Sequence, residues 1–334
     1  MRRKTKVKAA LAVIAAVLVV GMLGVGLHYV DNLGGLFSDE DEGIDEDTIV
    51  IGDHGYRIDH NIESYLLIGT DNAGDQEAEG EDYHGQMADF LLLVVLDRTN
   101  SSYGFLHIDR NTMGEIRILN SDGSGEATFE GQLYAAHWYG GDPEMNCENT
   151  VEAVSDFLGG FPINGYYAIN MGDVGALNHA VGGVKVKMDV DMSKLDPEMK
   201  EGAELTLNDK QAEIYVRARM KVGDGTNASR MTRQEEYMKA YMEKAMKKVD
   251  EDPDFINDLY EELSDRAVTN MPGNRVSAIA NQVHTGTSNG MLGFEGETKE
   301  GKALGDGLYH AEFYPKEESV VSCMKKLTSM EEEF

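Results

Sequence analysis

The segment Phe90–Leu96, FLLLVVL, is apolar at every position. A half-exposed strand alternates apolar and polar residues, and an amphipathic helix repeats its apolar residues every three or four. Seven apolar side chains in a row need cover on both faces, which is the situation of a central strand in a layered sheet. Shorter apolar segments at Tyr65–Gly69, Ser102–Ile108, Tyr166–Ile169 and Val184–Val190 read as further strands. The polar turn Arg98–Asn100 predicts that Phe90–Leu96 and Ser102–Ile108 pair as a hairpin.

Helices interleave with these strands. Asn149 followed by Glu152 reads as a cap, with a stop at Gly159–Gly160. A second helix covers Asp173–Ala180 and ends at Gly182–Gly183; Asn208 with Gln211 caps a third. The longest, Ser229–Val249, places Met238, Tyr241, Met242 and Ala245 at helical spacing. A last helix is expected over Glu318–Met330. Strands mixed with helices of these lengths predict an α/β domain layered around one sheet.

The N-terminus carries a different signal. Arg2, Arg3, Lys4, Lys6 and Lys8 precede an uncharged apolar run from Ala9 to Val30. That run is long enough to cross ~30 Å of hydrocarbon as a helix, and its basic flank predicts a cytoplasmic N-terminus. A cleaved signal peptide is the rival reading, but its apolar core would be shorter, and His28, Tyr29, Val30 and Asp31 make a poor cleavage site. The expected organisation is a cytoplasmic tail over 1–8, a transmembrane helix over 9–30, an acidic linker over 31–48 and an extracytoplasmic domain over 49–334. The linker contains SDEDEGIDED, whose carboxylates repel one another. A tail this short has no room for a DNA-binding helix pair.

Asp and Glu number 60 against 30 Lys and Arg, a formal net charge of −30. This balance argues against nucleic acid as a partner, and any anionic ligand must be held by a local cationic cluster. Arg217, Arg219, Arg230 and Arg233 form such a concentration. If YVRAR is extended, Arg217 and Arg219 share a face. Arg230 and Gln234, four apart, share a helix face that runs into Tyr237, Met238 and Tyr241. Arg233 lies off that stripe and is expected in solvent. Arginine forks suit phosphate oxygens; surface salt bridging is the alternative for each arginine taken singly.

Asp71 follows one strand and Asp89 opens another, while Asp109 and Arg110 sit just past Ser102–Ile108. Strand pairing would bring Asp89 and Arg110 together. Two carboxylates plus phosphate oxygens commonly hold Mg²⁺, and turn or cap roles are the alternative. Cys147 and Cys323 allow either one disulfide or two buried thiols. Tyr134, Trp138 and Tyr139 suit a core or a pocket wall. No Walker loop, HExxH, GxSxG or Rossmann glycine pattern is present.

The motif order resembles the LytR-CpsA-Psr family of cell-envelope proteins. The matching pieces are LLIGTD (Leu66–Asp71), ADFLLLVVLD (Ala88–Asp97), FLHIDRNT (Phe105–Thr112), LNDKQAEIYVRAR (Leu207–Arg219) and SRMTRQEEYMKA (Ser229–Ala240), with VGGVKVKMDVDM (Val181–Met192) as a looser match. The resemblance implies a three-layer α/β/α domain with a central mixed sheet. It also implies a membrane-bound enzyme that moves a glycopolymer, such as teichoic acid or capsule, from a polyprenyl-pyrophosphate carrier onto peptidoglycan by Mg²⁺-assisted phosphoryl transfer. On that resemblance Asp71 and Asp89 would hold Mg²⁺. Arg110, Arg217, Arg219, Arg230 and Gln234 would hold the pyrophosphate, with Asp89, Arg110 and Arg219 acting in catalysis. Two positions depart from the family pattern: Met87 stands where an arginine is common, and Asn111 where an aspartate is common. Lys221 and His84 are candidates to compensate. A lipid-pyrophosphate hydrolase and a non-catalytic envelope regulator that binds the lipid pyrophosphate are the alternatives.

Overall fold

The computed structural model describes residues 48–71, 86–120, 123–219, 222–252 and 255–334. The expected tail, membrane helix and nearly all of the linker lie outside these residues, as do His84 and Lys221. Among the described residues no helix is long and apolar enough to cross a membrane.

A mixed six-stranded sheet organises the chain. Its strands are β1 (Ile62–Thr70), β2 (Ala88–Asp97), β3 (Ser102–Ile108), β4 (Tyr166–Asn170), β5 (Ala267–Thr269) and β6 (Thr287–Leu292), in the order β5-β4-β1-β2-β3-β6. The β1–β2, β2–β3 and β4–β5 pairs are antiparallel; β1–β4 and β3–β6 are parallel. The helices are α1 (Pro143–Phe157), α2 (Val174–Ala180), α3 (Asp209–Arg217), α4 (Asn227–Glu251), α5 (Phe255–Ser264), α6 (Gly273–Thr285) and α7 (Glu317–Thr328).

The apolar run lies centrally, as its composition requires. Leu92, Val94 and Leu96 join a core with α2 to α6, while Leu91, Leu93 and Val95 face a second core with α1 and α7. All six are fully buried, and each such side chain contributes about 1.5–3 kcal/mol of transfer free energy.

Two local expectations are corrected. The first long helix begins at Pro143, because Asp142 accepts from Met145 N at 2.8 Å and proline is tolerated in a first turn. Asn149 is therefore a buried mid-helix residue, and its Nδ2 donates to the Ala136 carbonyl at 2.7 Å. The strand expected over Val184–Val190 shrinks to Lys185–Lys187, paired with Glu204–Thr206 outside the central sheet; beyond it Met188 and Met192 turn into the core. The glycine stop after α1 has a clear cause. Gly159 has φ 75° and its carbonyl accepts from Val50 N at 2.9 Å. A Cβ there would lie 2.0 Å from the Val50 carbonyl oxygen. Cys147 and Cys323 are buried free thiols, which settles the choice between disulfide and thiols.

Candidate anion-binding site

The carboxyl ends of β1, β3 and β4 meet the start of β2 at one end of the sheet, and the N-terminal turn of α4 packs there. Leu91 pairs with Ile108 across β2 and β3, so two residues further on Asp89 meets Arg110. Arg110 Nη1 donates to Asp89 Oδ1, and Arg230 Nη1 donates to Asp89 Oδ2 at 3.0 Å. One carboxylate thus spaces two guanidiniums. Both are nearly buried, with side-chain exposures of 13% for Arg110 and 4% for Arg230.

Each cation has its own support. Arg110 lies 4.2 Å over the Tyr134 ring, a cation–π contact. Arg230 Nη2 donates to Asn227 Oδ1 at 2.5 Å, and Asn227 Nδ2 donates to Asp109 Oδ1 at 2.7 Å. Burial, followed by repulsion from Arg230 and Arg219, pulls the Arg110 pKa down to about 9. Burial, followed by repulsion from Arg219 and Arg217, pulls Arg230 down to about 10. Both remain cationic at neutral pH. The four arginines therefore feel one another, and Asp71 and Asp109 offset part of the repulsion.

The site is not satisfied internally. The Nε atoms of Arg110 and Arg230 and Oε1 of Gln234 are buried without a hydrogen-bond partner. A buried unpaired polar group costs about 1–3 kcal/mol, more when charged. Two such donors on neighbouring cations mark this cluster as the candidate site for an anion.

Arg217 and Arg219 do not share a strand face. The capping box of Asn208 and Gln211 starts α3, which runs on through Arg217. Arg217 turns back to Glu213 one turn earlier, while Ala218 is extended and carries the chain to half-buried Arg219. Arg233 is likewise corrected: it is completely buried, not solvated. Its Nε donates to the Tyr215 carbonyl at 3.2 Å, Nη1 to the Ser229 carbonyl at 3.2 Å, and Nη2 to the Ala218 carbonyl. Four-residue spacing aligned it with Ser229, but the carbonyls left open at the end of α3 drew it inward. Gln234 Nε2 donates to the Val216 carbonyl at 3.1 Å. Together α4's Arg233 and Gln234 hold the end of α3.

Asp71 Oδ1 accepts from Met87 N at 2.8 Å, and Asn170 Nδ2 donates to the Asp71 carbonyl at 2.8 Å. Asp71 lies in electrostatic range of Arg110. Among the described residues no three His, Cys, Asp or Glu side chains converge as a metal cage. Asp89 gives one oxygen to each of Arg110 and Arg230, and Asp71 gives one to Met87 N, so these two carboxylates would have to share their oxygens with any cation they held. Met87 packs, partly buried, against the second core, and Asn111 is buried with its backbone bonded to Asp109 and Phe313. Sequence reading missed Asn227, the support role of Asp109 and the buried role of Arg233. An asparagine three residues before Arg230 at a helix start was the available signal.

Beside the site lies a cavity of about 90 Å³ between the sheet and α4. Gly69, Phe90, Met171, Gln234, Tyr237 and Met238 line it. Phe90 adjoins Asp89, so the apolar space begins where the charged cluster ends.

Fold and site define an α/β domain with a buried arginine cluster at one end of its sheet. The chain belongs to the LytR_cpsA_psr family, whose model matches residues 41–325. It is 29% identical over 181 residues to TagU of Bacillus anthracis, a polyisoprenyl-teichoic acid–peptidoglycan teichoic acid transferase; the match covers 54% of this chain and 52% of TagU. The chain thus spans about half the length of the curated relatives it matches. Its fold is similar to B. subtilis TagV (TM-score 0.56, 22% identity, covering 81% of this chain and 97% of that one). It is also similar to TagT bound to LI-WTA (TM-score 0.55, 19% identity, covering 92% and 97%).

Proposed function

We propose that this protein transfers a glycopolymer from a polyprenyl-pyrophosphate carrier to peptidoglycan, on the outer face of a membrane in which residues 9–30 anchor it. The observation that carries this reading is the pair Arg110 and Arg230, spaced by Asp89 and each with a buried unpartnered Nε. Family membership and the relationship to TagU support the transferase class.

In this reading the diphosphate lies against Arg110, Arg230 and Arg219, with Arg217 at the margin. The free energy spent on crowding buried cations is recovered when the anion arrives. The apolar cavity beneath Gln234 receives the first part of the isoprenoid chain. A peptidoglycan hydroxyl attacks the sugar-side phosphorus, a new P–O bond forms, and the bond to the polyprenyl phosphate breaks. The leaving group departs with the electron pair, and the hydroxyl proton passes to a nearby base. Mg²⁺ held by Asp71 and Asp89 would supply further neutralisation of the phosphoryl oxygens. No nucleotide is required, because the diphosphate bond carries the driving force.

The test is an assay of the full chain in lipid vesicles with a labelled polyprenyl-pyrophosphate glycan, with and without peptidoglycan, and with magnesium present or chelated. Acceptor-dependent release of polyprenyl phosphate supports the transferase. Release without acceptor identifies a hydrolase. Binding without release identifies a regulator.

A further inference from the structure

The hairpin Gly296–Gly301/His310–Pro315 is attached directly to the site. Phe313 N donates to the Asn111 carbonyl at 2.8 Å, and Phe313 forms a parallel bridge with Thr112. Gln132 Nε2 donates to the Ala311 carbonyl at 3.2 Å. Because the bridge is parallel, moving from Phe313 toward the hairpin tip moves from Thr112 back toward Arg110. The tip arrives beside Tyr134, the ring beneath Arg110, and Asp306 at the tip acts on the Tyr134 hydroxyl electrostatically.

The tip is organised by its own polar groups. Asp306 accepts from Leu308 N and pairs with His310 Nε2, each at 2.9 Å. Buried Glu312 accepts from Ala303 N at 3.0 Å and from the Tyr314 hydroxyl at 2.8 Å. What this scaffold presents is apolar: Leu308 is 63% exposed and Tyr309 68%. Lys302 Nζ lies 4.5 Å from the Tyr309 ring centroid on one side, leaving the other face to solvent. An exposed aromatic ring with a charged amine, a carboxylate and an imidazole around it suits a pyranose. The sugar's C–H face stacks on the ring, and its hydroxyls find donors and acceptors at the rim.

We infer that the tip formed by Lys302, Asp306, Leu308, Tyr309 and His310 is a saccharide subsite that holds the sugar adjoining the diphosphate during transfer. This rests on the diphosphate reading above, because the sugar's place is argued from the Thr112–Phe313 bridge that leads the hairpin back toward Arg110. The occupant is a pyranose of the donor glycan, recognised by its C–H face on Tyr309 and its hydroxyls at the rim.

The test uses the full chain and its single tryptophan, Trp138, as a fluorescence reporter. Three probes are titrated separately: a peptidoglycan tetrasaccharide free of phosphate, a short-prenyl diphosphate-linked disaccharide, and inorganic pyrophosphate. Tyr309→Ala is expected to weaken the diphosphate-linked disaccharide about tenfold, while Tyr309→Phe, which keeps the ring, retains binding. Pyrophosphate affinity stays unchanged in both variants. Weakening of the linked disaccharide alone supports the inference. Unchanged affinity for it in Tyr309→Ala, or weakening of the tetrasaccharide instead, overturns it. So does binding to phosphatidylglycerol vesicles that Leu308→Ser and Tyr309→Ala abolish while neither saccharide binds. Saccharide binding without any pyrophosphate binding keeps the subsite and removes the diphosphate reading instead.

Discussion

Arg233 on α4 donates its Nε to the Tyr215 carbonyl on α3, 3.2 Å away. With its Nη contacts to Ser229 and Ala218, this clamps the segment from which Arg217 and Arg219 project. Arg233→Met keeps the stem's packing but strands these buried carbonyls. The expected loss is about 2–4 kcal/mol of stability, read from urea unfolding followed at Trp138. A melt indistinguishable from the parent would show that the clamp carries no weight.

Arg219 is half-buried and lies in electrostatic range of both Arg110 and Arg230. Arg219→Ala should lower turnover by about 10²–10³, with a thermal melt of the variant confirming that it is folded. Parent-level turnover in the vesicle assay would remove Arg219 from the phosphate clamp.

Asp89 is the shared ion-pair partner of Arg110 and Arg230. Replacing it with asparagine leaves two crowded cations without their counter-charge. About 3–5 kcal/mol should be lost, and millimolar pyrophosphate should recover part of it by binding only the folded state. Thermal melts with and without pyrophosphate check this. Destabilisation with no recovery would mean that the cluster does not take a diphosphate.

His137 is buried, and its Nδ1 lies 2.7 Å from the Gln86 carbonyl. The carbonyl only accepts, so Nδ1 carries the proton and Nε2 faces the Cys147 thiol. Burial pulls the His137 pKa down to about 4, so below pH 6.5 the unfolded chain binds a proton that the folded chain refuses. The stability this group contributes is complete above the unfolded value and is lost as pH falls from 6.5 through 4, a total of about 3 kcal/mol. His137→Asn should flatten the stability–pH curve in that window alone. An unchanged slope would contradict the assignment.

Asp109 has the opposite sign. Burial raises its pKa above the ordinary carboxylate value, so the charged form costs stability once pH rises past the unfolded value. Asp109→Asn keeps an oxygen for Asn227 and for Asn111 N while removing that charge. It should be neutral or stabilising at pH 7, and its advantage should shrink toward pH 4, as measured by denaturant titration at both pH values.

The sequence determined what depends on neighbours along the chain. FLLLVVL could be buried only between two layers, Asn208 with Gln211 had to start a helix, and the short turn at Arg98–Asn100 set the β2–β3 register that joins Asp89 to Arg110. Tertiary structure decided everything that depends on which unsatisfied groups meet in space. Arg233 is helical by its local spacing, but its direction was settled by carbonyls left open at the end of another helix. Asn227 became a link between Asp109 and Arg230 because β3 ends where α4 begins. Hydrogen bonding and desolvation act here between residues 18 positions apart for Arg233 and Tyr215 and 118 apart for Asn227 and Asp109, and no local pattern encodes either meeting.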